Sequence, residues 1–323
     1  MSPNAKGALL ALLAFGIFST HDVVVKILGG VYSPFQIVFF SVLLSFPLAT
    51  VMLMRDAKPG TLVPKHPWWL ALRTGAAVAT GVSVFYAFTV LPLTQVYAIL
   101  FATPLLITIL AIPVLGEKVR LRRWMAVLIG LAGVLVVLRP GQTELSVGQL
   151  AALVAAVGGA LASIVVRKIG NEERPAVMLL YPMVFNFVLM ALVLPFVYVP
   201  MPIEHLGLLA VIATFAWIAS RLVIAAYQSG EAAIIAPMQY SQIVWASIFG
   251  YIFFGEVIDG ATAAGAAIII ASGLYIVLRE SRSGNSENTP VLRTRSRSET
   301  ATTPRVSLFM RIAGKTPPRQ DDP

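Results

Sequence analysis

Apolar runs, each broken by a short cluster of charge, proline or glycine, recur along this chain from Gly7 to Arg279. A helix needs about 20 predominantly apolar residues to cross the hydrocarbon core of a bilayer, where only a helix or closed barrel satisfies its own backbone. The runs therefore predict spans over 7–28, 34–54, 68–91, 93–115, 122–139, 147–168, 176–199, 205–228, 231–254 and 260–279. The expected fold class is an all-α integral membrane protein of ten transmembrane helices. The first run follows Lys6, is too long for the apolar part of a signal peptide and lacks a small-residue cleavage site, so it reads as a retained helix.

Composition strengthens this reading. The 323 residues are 58% hydrophobic and 12% charged, with no cysteine and a mean hydropathy of +0.83, whereas soluble domains carry about 25% charged residues. The spans leave no room for an ATPase domain or an extramembrane receptor module, and no Gly-rich phosphate loop occurs. Lack of cysteine excludes disulfides, thiolate metal sites and a cysteine nucleophile. The formal charge of +9 lies in short loops and a tail, not on a folded basic face, so nucleic acid is not an expected partner.

Topology accounts for the charge. Lys6, Arg55, Lys58, Lys65, Lys118, Arg120, Arg122, Arg123, Arg167, Lys168, Arg174 and the basic tail fall on one side, and the opposite loops hold only Arg139. Positive loops stay in the cytoplasm. A multi-pass protein of a bacterial inner membrane with both termini cytoplasmic is expected. Residues 280–323, rich in Ser, Thr, Arg and Pro, predict a disordered cytoplasmic tail, which either attracts anionic headgroups or is a dispensable extension.

The chain repeats itself. "GALLALLAFGIFSTHDVVVKI" from Gly7 aligns with "GQLAALVAAVGGALASIVVRK" from Gly148, "AGVLVVLR" from Ala132 with "SGLYIVLR" from Ser272, and Gly116-Glu117 with Gly255-Glu256. Three ordered anchors at nearly constant offset define two units, 7–139 and 147–279. Each unit holds five spans, an odd number, so the second enters the membrane from the opposite side. The charges agree: "GEKVRLRR" is basic, while its counterpart "GEVIDGA" has neither Lys nor Arg. Inverted repeats of this kind recur in secondary transporters, where two near-equivalent half-arrangements generate inward- and outward-open states around one midplane site.

With these anchors and the stretch "AFTVLPLTQVYAILFATPLL" from Ala87, the chain resembles the drug/metabolite transporter superfamily, in particular its ten-helix EamA-type branch. The resemblance covers everything but the tail. One departure is that Pro104 and Pro237 do not occupy equivalent positions. The resemblance implies a non-enzymatic transporter of a small organic metabolite, without cofactor or metal, as a monomer or homodimer in the lipid bilayer. Among vitamin and cofactor transporters of this branch, bacterial riboflavin importers are similar in overall character, so the resemblance implies riboflavin uptake as the specific expectation. S-adenosylmethionine, amino-acid and drug carriers or exporters are the alternatives.

An ionisable residue at the bilayer centre costs about 2.5–3.5 kcal/mol on insertion scales, so each one calls for a partner or a wet cavity. His21 and Asp22 in the first span are candidates for substrate binding or proton relay. Alternatively, Lys26 snorkels to the interface and Asp22, one turn away, neutralises it. Arg221 lies deep in the eighth span and requires an acidic partner or an anionic ligand, whereas Arg73 reads as an interface anchor. In "PMQYSQIVW", Gln239, Tyr240, Gln242 and Trp245 can hydrogen-bond and stack on a heteroaromatic ligand, or else bond neighbouring helices. Tyr86, Gln95 and Tyr97 complete the candidate substrate site. Asn186 and the glycines Gly75, Gly81, Gly130, Gly133, Gly158 and Gly159 read as packing residues. An intramembrane enzyme is the competing class, but the only histidines, His21, His66 and His205, are scattered and offer no His-rich metal site.

Overall fold

The structure is a computed structural model that describes residues 3–54, 61–116, 121–140, 146–170, 172–229 and 232–282. The expectations placed on the loops at 55–60 and 117–120 and on the tail beyond Arg282 lie outside these residues. In chain order the helices are α1 (Pro3–Gly29), α2 (Pro34–Met54), α3 (Pro67–Val90), α4 (Leu93–Leu100), α5 (Thr103–Leu115) and α6 (Leu121–Leu138). There follow α7 (Val147–Ile169), α8 (Pro175–Val197), α9 (Ile203–Ser229), α10 (Ala232–Ile235), a 3₁₀ turn (Ala236–Tyr240), α11 (Ser241–Phe254) and α12 (Gly260–Arg282). Among the described residues eight helical stretches are long and apolar enough to cross a membrane, α4 and α5 counting as one, and α6 contributes a shorter apolar helix. With the interrupted segment 232–254 they make ten crossings, as the apolar runs predict.

The fourth and ninth crossings are both broken. The fourth opens at Phe101–Ala102, where the Ala102 N–H turns back to the Ile99 carbonyl (3.0 Å); the ninth changes from 3₁₀ to α at Tyr240–Ser241. Phe101 and Tyr240 are 139 residues apart, the same offset as Gly116 and Gly255. The two breaks are thus repeat-equivalent although Pro104 and Pro237 are not. Each proline, at the start of its new segment, lacks an N–H and disfavours continuous α-geometry just before it, so a break can be specified from either side.

Polar contacts show how successive helices alternate in direction. At one end of the bundle, the Gln36 side chain exchanges two hydrogen bonds with the Val199 backbone, 2.7 and 2.9 Å. Tyr32 bonds His205 (2.6 Å) and Arg139 pairs with Asp259 at this end. At the other end Lys168 Nζ donates to the Val114 carbonyl (2.7 Å), and His66 joins Glu172 (2.7 Å). Among the described residues these contacts join ends that strict alternation of the ten crossings places on the same side.

Packing crosses between the halves: α1 lies on α9, its repeat-equivalent α7 lies on α3, and α6 lies on α12. Small residues allow this. A Cβ on Gly133 would fall 2.9 Å from the Gly265 carbonyl oxygen, and one on Gly265 would fall 2.6 Å from the Gly133 carbonyl oxygen. A Cβ on Gly158 would come within 2.5 Å of Thr80 Oγ1. In lipid, where apolar surface gains little by leaving the solvent, this close backbone approach supplies the dispersion energy of association. Gly75 differs from the expectation, for it faces open space.

Candidate functional site

Asp22, near the end of α1 that carries Lys26, is completely buried, with His21 beside it equally enclosed. His21 Nδ1 lies 2.7 Å from Asp22 Oδ1, and the Tyr97 hydroxyl of α4 donates to Asp22 Oδ2. Ser19 Oγ stands 3.4 Å from the same hydroxyl. Lys26 Nζ, one turn on, pairs with Glu256 at 2.6 Å. The helical step places Asp22 towards α4, where a rigid phenol reaches its oxygen.

Tyr97 lies one turn before the break in the fourth crossing, and from it aromatic rings lead to the break in the ninth. Its ring meets Phe88 edge-on (centroids 5.6 Å apart) and Phe101 at 6.2 Å, and Phe101 meets Tyr240 edge-on at 5.0 Å. Beyond Tyr240, on α11, Gln242 is buried, and among the described residues neither its Nε2 nor the buried Trp245 indole N–H has a hydrogen-bond partner. The two are three residues apart and share a helix face. Trp245 packs against Gly16 of α1, where a Cβ would stand 3.4 Å from the indole, and stacks on Phe249 at 6.0 Å. Among the described residues His21 Nε2 is a further buried atom without a bond. Unbonded buried polar atoms are costly, about 1–3 kcal/mol each, and mark places where a complementary ligand atom would be stabilised.

Tyr86 is half-buried on α3 in a stripe with Gly75, Ala79 and Val82. Helical periodicity sets this stripe between the α7-facing residues Ala76 and Thr80 and the α1-facing residues Phe85 and Thr89. It therefore faces the gap between α1 and α7. Arg221 is the repeat counterpart of Val82, at the offset of 139. It is exposed, its guanidinium 5.7 Å from the Trp217 ring centroid, and lies eight residues, about 12 Å, from the end of α9. Gln95 on α4 and Gln239 in the 3₁₀ turn are half-buried. Asp22, His21 and Tyr97 form one bonded cluster, which the Phe101 ring joins to Tyr240, whereas no contact described above joins Tyr86 or Arg221 to it.

Two other polar residues differ from expectation. Arg73 is buried, and its guanidinium donates to the Met178 carbonyl of α8 instead of anchoring at an interface. Asn186 is fully buried with neither amide atom bonded, so it is not hydrogen-bonding glue among the described residues. Glu256 was visible in the sequence only as half of a repeated Gly-Glu pair; its partnership with Lys26 joins residues 230 positions apart and depends on the tertiary fold.

The profile of the EamA-like transporter family matches residues 5–139 and again 146–278, spanning both halves. The chain belongs to the EamA-like transporter family. It is 28% identical over 279 residues to the S-adenosylmethionine uptake transporter of Rickettsia prowazekii (strain Madrid E), covering 86% of this chain and 94% of that protein. It is 27% identical over 274 residues to the pseudopaline exporter CntI of Pseudomonas aeruginosa (strain UCBPP-PA14), covering 82% and 94%. A riboflavin transporter of Vibrio cholerae serotype O1 (strain ATCC 39315 / El Tor Inaba N16961) matches at 29% over 200 residues, 61% of this chain and 66% of that protein. A solved crystal structure shares the fold, with a TM-score of 0.56 at 18% identity over 88% of this chain and 99% of that one. This EamA protein is a multi-pass membrane transporter of small molecules, not an enzyme.

Proposed function

We propose that this transporter imports a small metabolite that joins a cationic centre to a flat ring system, with S-adenosylmethionine as the specific substrate, by alternating access between its inverted halves. The observation that carries the reading is the buried Asp22 carboxylate, held by His21 and Tyr97 at the head of an aromatic path. A carboxylate in this setting favours a ligand that brings a positive charge, and a sulfonium beside Tyr97 and Phe101 gains cation–π attraction as well. The unbonded donors of Gln242 and Trp245 suit acceptor atoms on the purine or the carboxylate, and Arg221 suits the carboxylate. The near full-length similarity to an S-adenosylmethionine uptake transporter supports the same choice.

Riboflavin is the second reading. Its ring carbonyls and nitrogens match the Gln242 and Trp245 donors, but it offers no cation to Asp22, and the riboflavin-transporting relative aligns over a shorter stretch. The test is uptake of labelled S-adenosylmethionine and riboflavin by proteoliposomes containing the purified protein. Saturable S-adenosylmethionine uptake, reduced about tenfold or more in Asp22→Asn at equal protein content, is expected. Uptake of riboflavin alone reverses the order of the two, and uptake of neither removes both.

A further inference from the structure

The carboxylate of Glu256 and the ammonium of Lys26 tie three segments together at one end of the bundle. Lys26 Nζ is 2.6 Å from Glu256 Oε1, with the side chains only 12% and 16% exposed, and it also donates to the Leu91 carbonyl. Glu256 Oε2 accepts the Leu93 N–H at 2.9 Å, so the carboxylate sits on the positive N-terminus of α4. The link thus joins α1, the α3–α4 junction and the α11–α12 junction, the first two from one half and the third from the other.

The local sequence aims Glu256 there. Gly255 closes α11 in the left-handed region (φ 64°), which favours glycine, and the Glu256 N–H returns to the Gly250 carbonyl at 2.9 Å. Gly250 leaves space for the carboxylate, since a Cβ there would stand 2.9 Å from Glu256 Oε2. Three residues on, Asp259 caps α12 through the N–H groups of Ala261 and Thr262, each 3.0 Å away, and pairs with Arg139. The loop 255–259 is therefore fixed at both its ends.

At the Lys26 end α1 presses on α3 so closely that a Cβ on Gly29 would lie 1.9 Å from Thr89 Cγ2. The Lys26 end is thus shut where these two helices meet.

We propose that Lys26 and Glu256 form the gate at this end: their ion pair, seated on the α3–α4 junction, holds the transporter closed there and must part for substrate to enter. The inference rests on alternating access but not on the substrate, and it is tested without one. Because the chain has no cysteine, a single Val82→Cys on the α3 stripe reports access to the gap between α1 and α7. Its labelling by an impermeant maleimide is measured in intact cells and in inside-out vesicles, in the parent and with Lys26→Met or Glu256→Gln added. Labelling about fivefold or more faster from one face alone is expected when either charge is removed. Unchanged rates, or equal gains from both faces, overturn the gate.

A second arm does not depend on removing the charges. Gly29→Cys with Thr89→Cys places two thiols where the helices meet, and a small outward shift brings their Cβ atoms to the roughly 3.5–4.5 Å that a disulfide needs. Oxidation is expected to cross-link them in the membrane and to abolish entry of an impermeant hydrophilic reagent from that face, with dithiothreitol restoring it. Failure to cross-link, or access unchanged by the cross-link, overturns the proposal.

Discussion

Tyr97 and Asp22 show at the residue scale how a buried charge is retained in a membrane helix. The hydroxyl of Tyr97 and the ring nitrogen of His21 each take one carboxylate oxygen, replacing the water that a carboxylate otherwise needs. A hydrogen bond to a charged group contributes about 1.5–3 kcal/mol. Tyr97→Phe is therefore expected to lower uptake about tenfold or more at normal membrane abundance, whereas Tyr86→Phe, which removes a hydroxyl outside this cluster, is expected to change it less than about threefold. Uptake in membrane-matched vesicles checks both. Asp22 was readable as a candidate because any acid in an apolar run is conspicuous. Its partner Tyr97 was not readable, since whether that hydroxyl reaches it depends on where α4 lies.

At the scale of elements, the sequence announced each helix by its apolar length and each stop by glycine, proline or charge. Gly116 and Gly255 are the clearest case, since both end their helices with positive φ, 71° and 64°. Gly255→Ala would force a side chain into that region at a cost of about 1 kcal/mol and would displace Glu256 from the gate. The expected outcome is near-normal abundance with faster labelling of the Val82→Cys reporter. The α6–α12 contact makes a complementary prediction. Gly133→Leu inserts a branched side chain where only backbone fits, an overpacking that costs about 1–3 kcal/mol or more, and is expected to lower detergent-solubilised thermal stability by several degrees. The same change at Gly75, which faces open space, is expected to leave the melting temperature unaltered. Sequence grouped these glycines together because spacing alone does not say which of them meets another backbone.

For the whole molecule, the charge bias predicts that the Lys26 end faces outward and that both termini are cytoplasmic. Reporter fusions after Arg55 and after Met201 are expected to report opposite compartments; a shared compartment would overturn the topology. Hydropathy by itself determined the membrane class and the number of crossings, because the bilayer permits almost no other way to satisfy a backbone over runs of this length. Internal similarity and an odd number of spans per half determined the inversion, since both are properties of linear order. The tertiary structure decided which helices of one half lie on those of the other, that Lys26 meets Glu256, and that α1 and α3 close together at the Lys26 end. These are contacts between segments far apart in the chain, and two inverted halves of similar sequence can hold either end shut. Their choice lies in side-chain packing and charge placement across the interface, which no pattern along a single strand of sequence records.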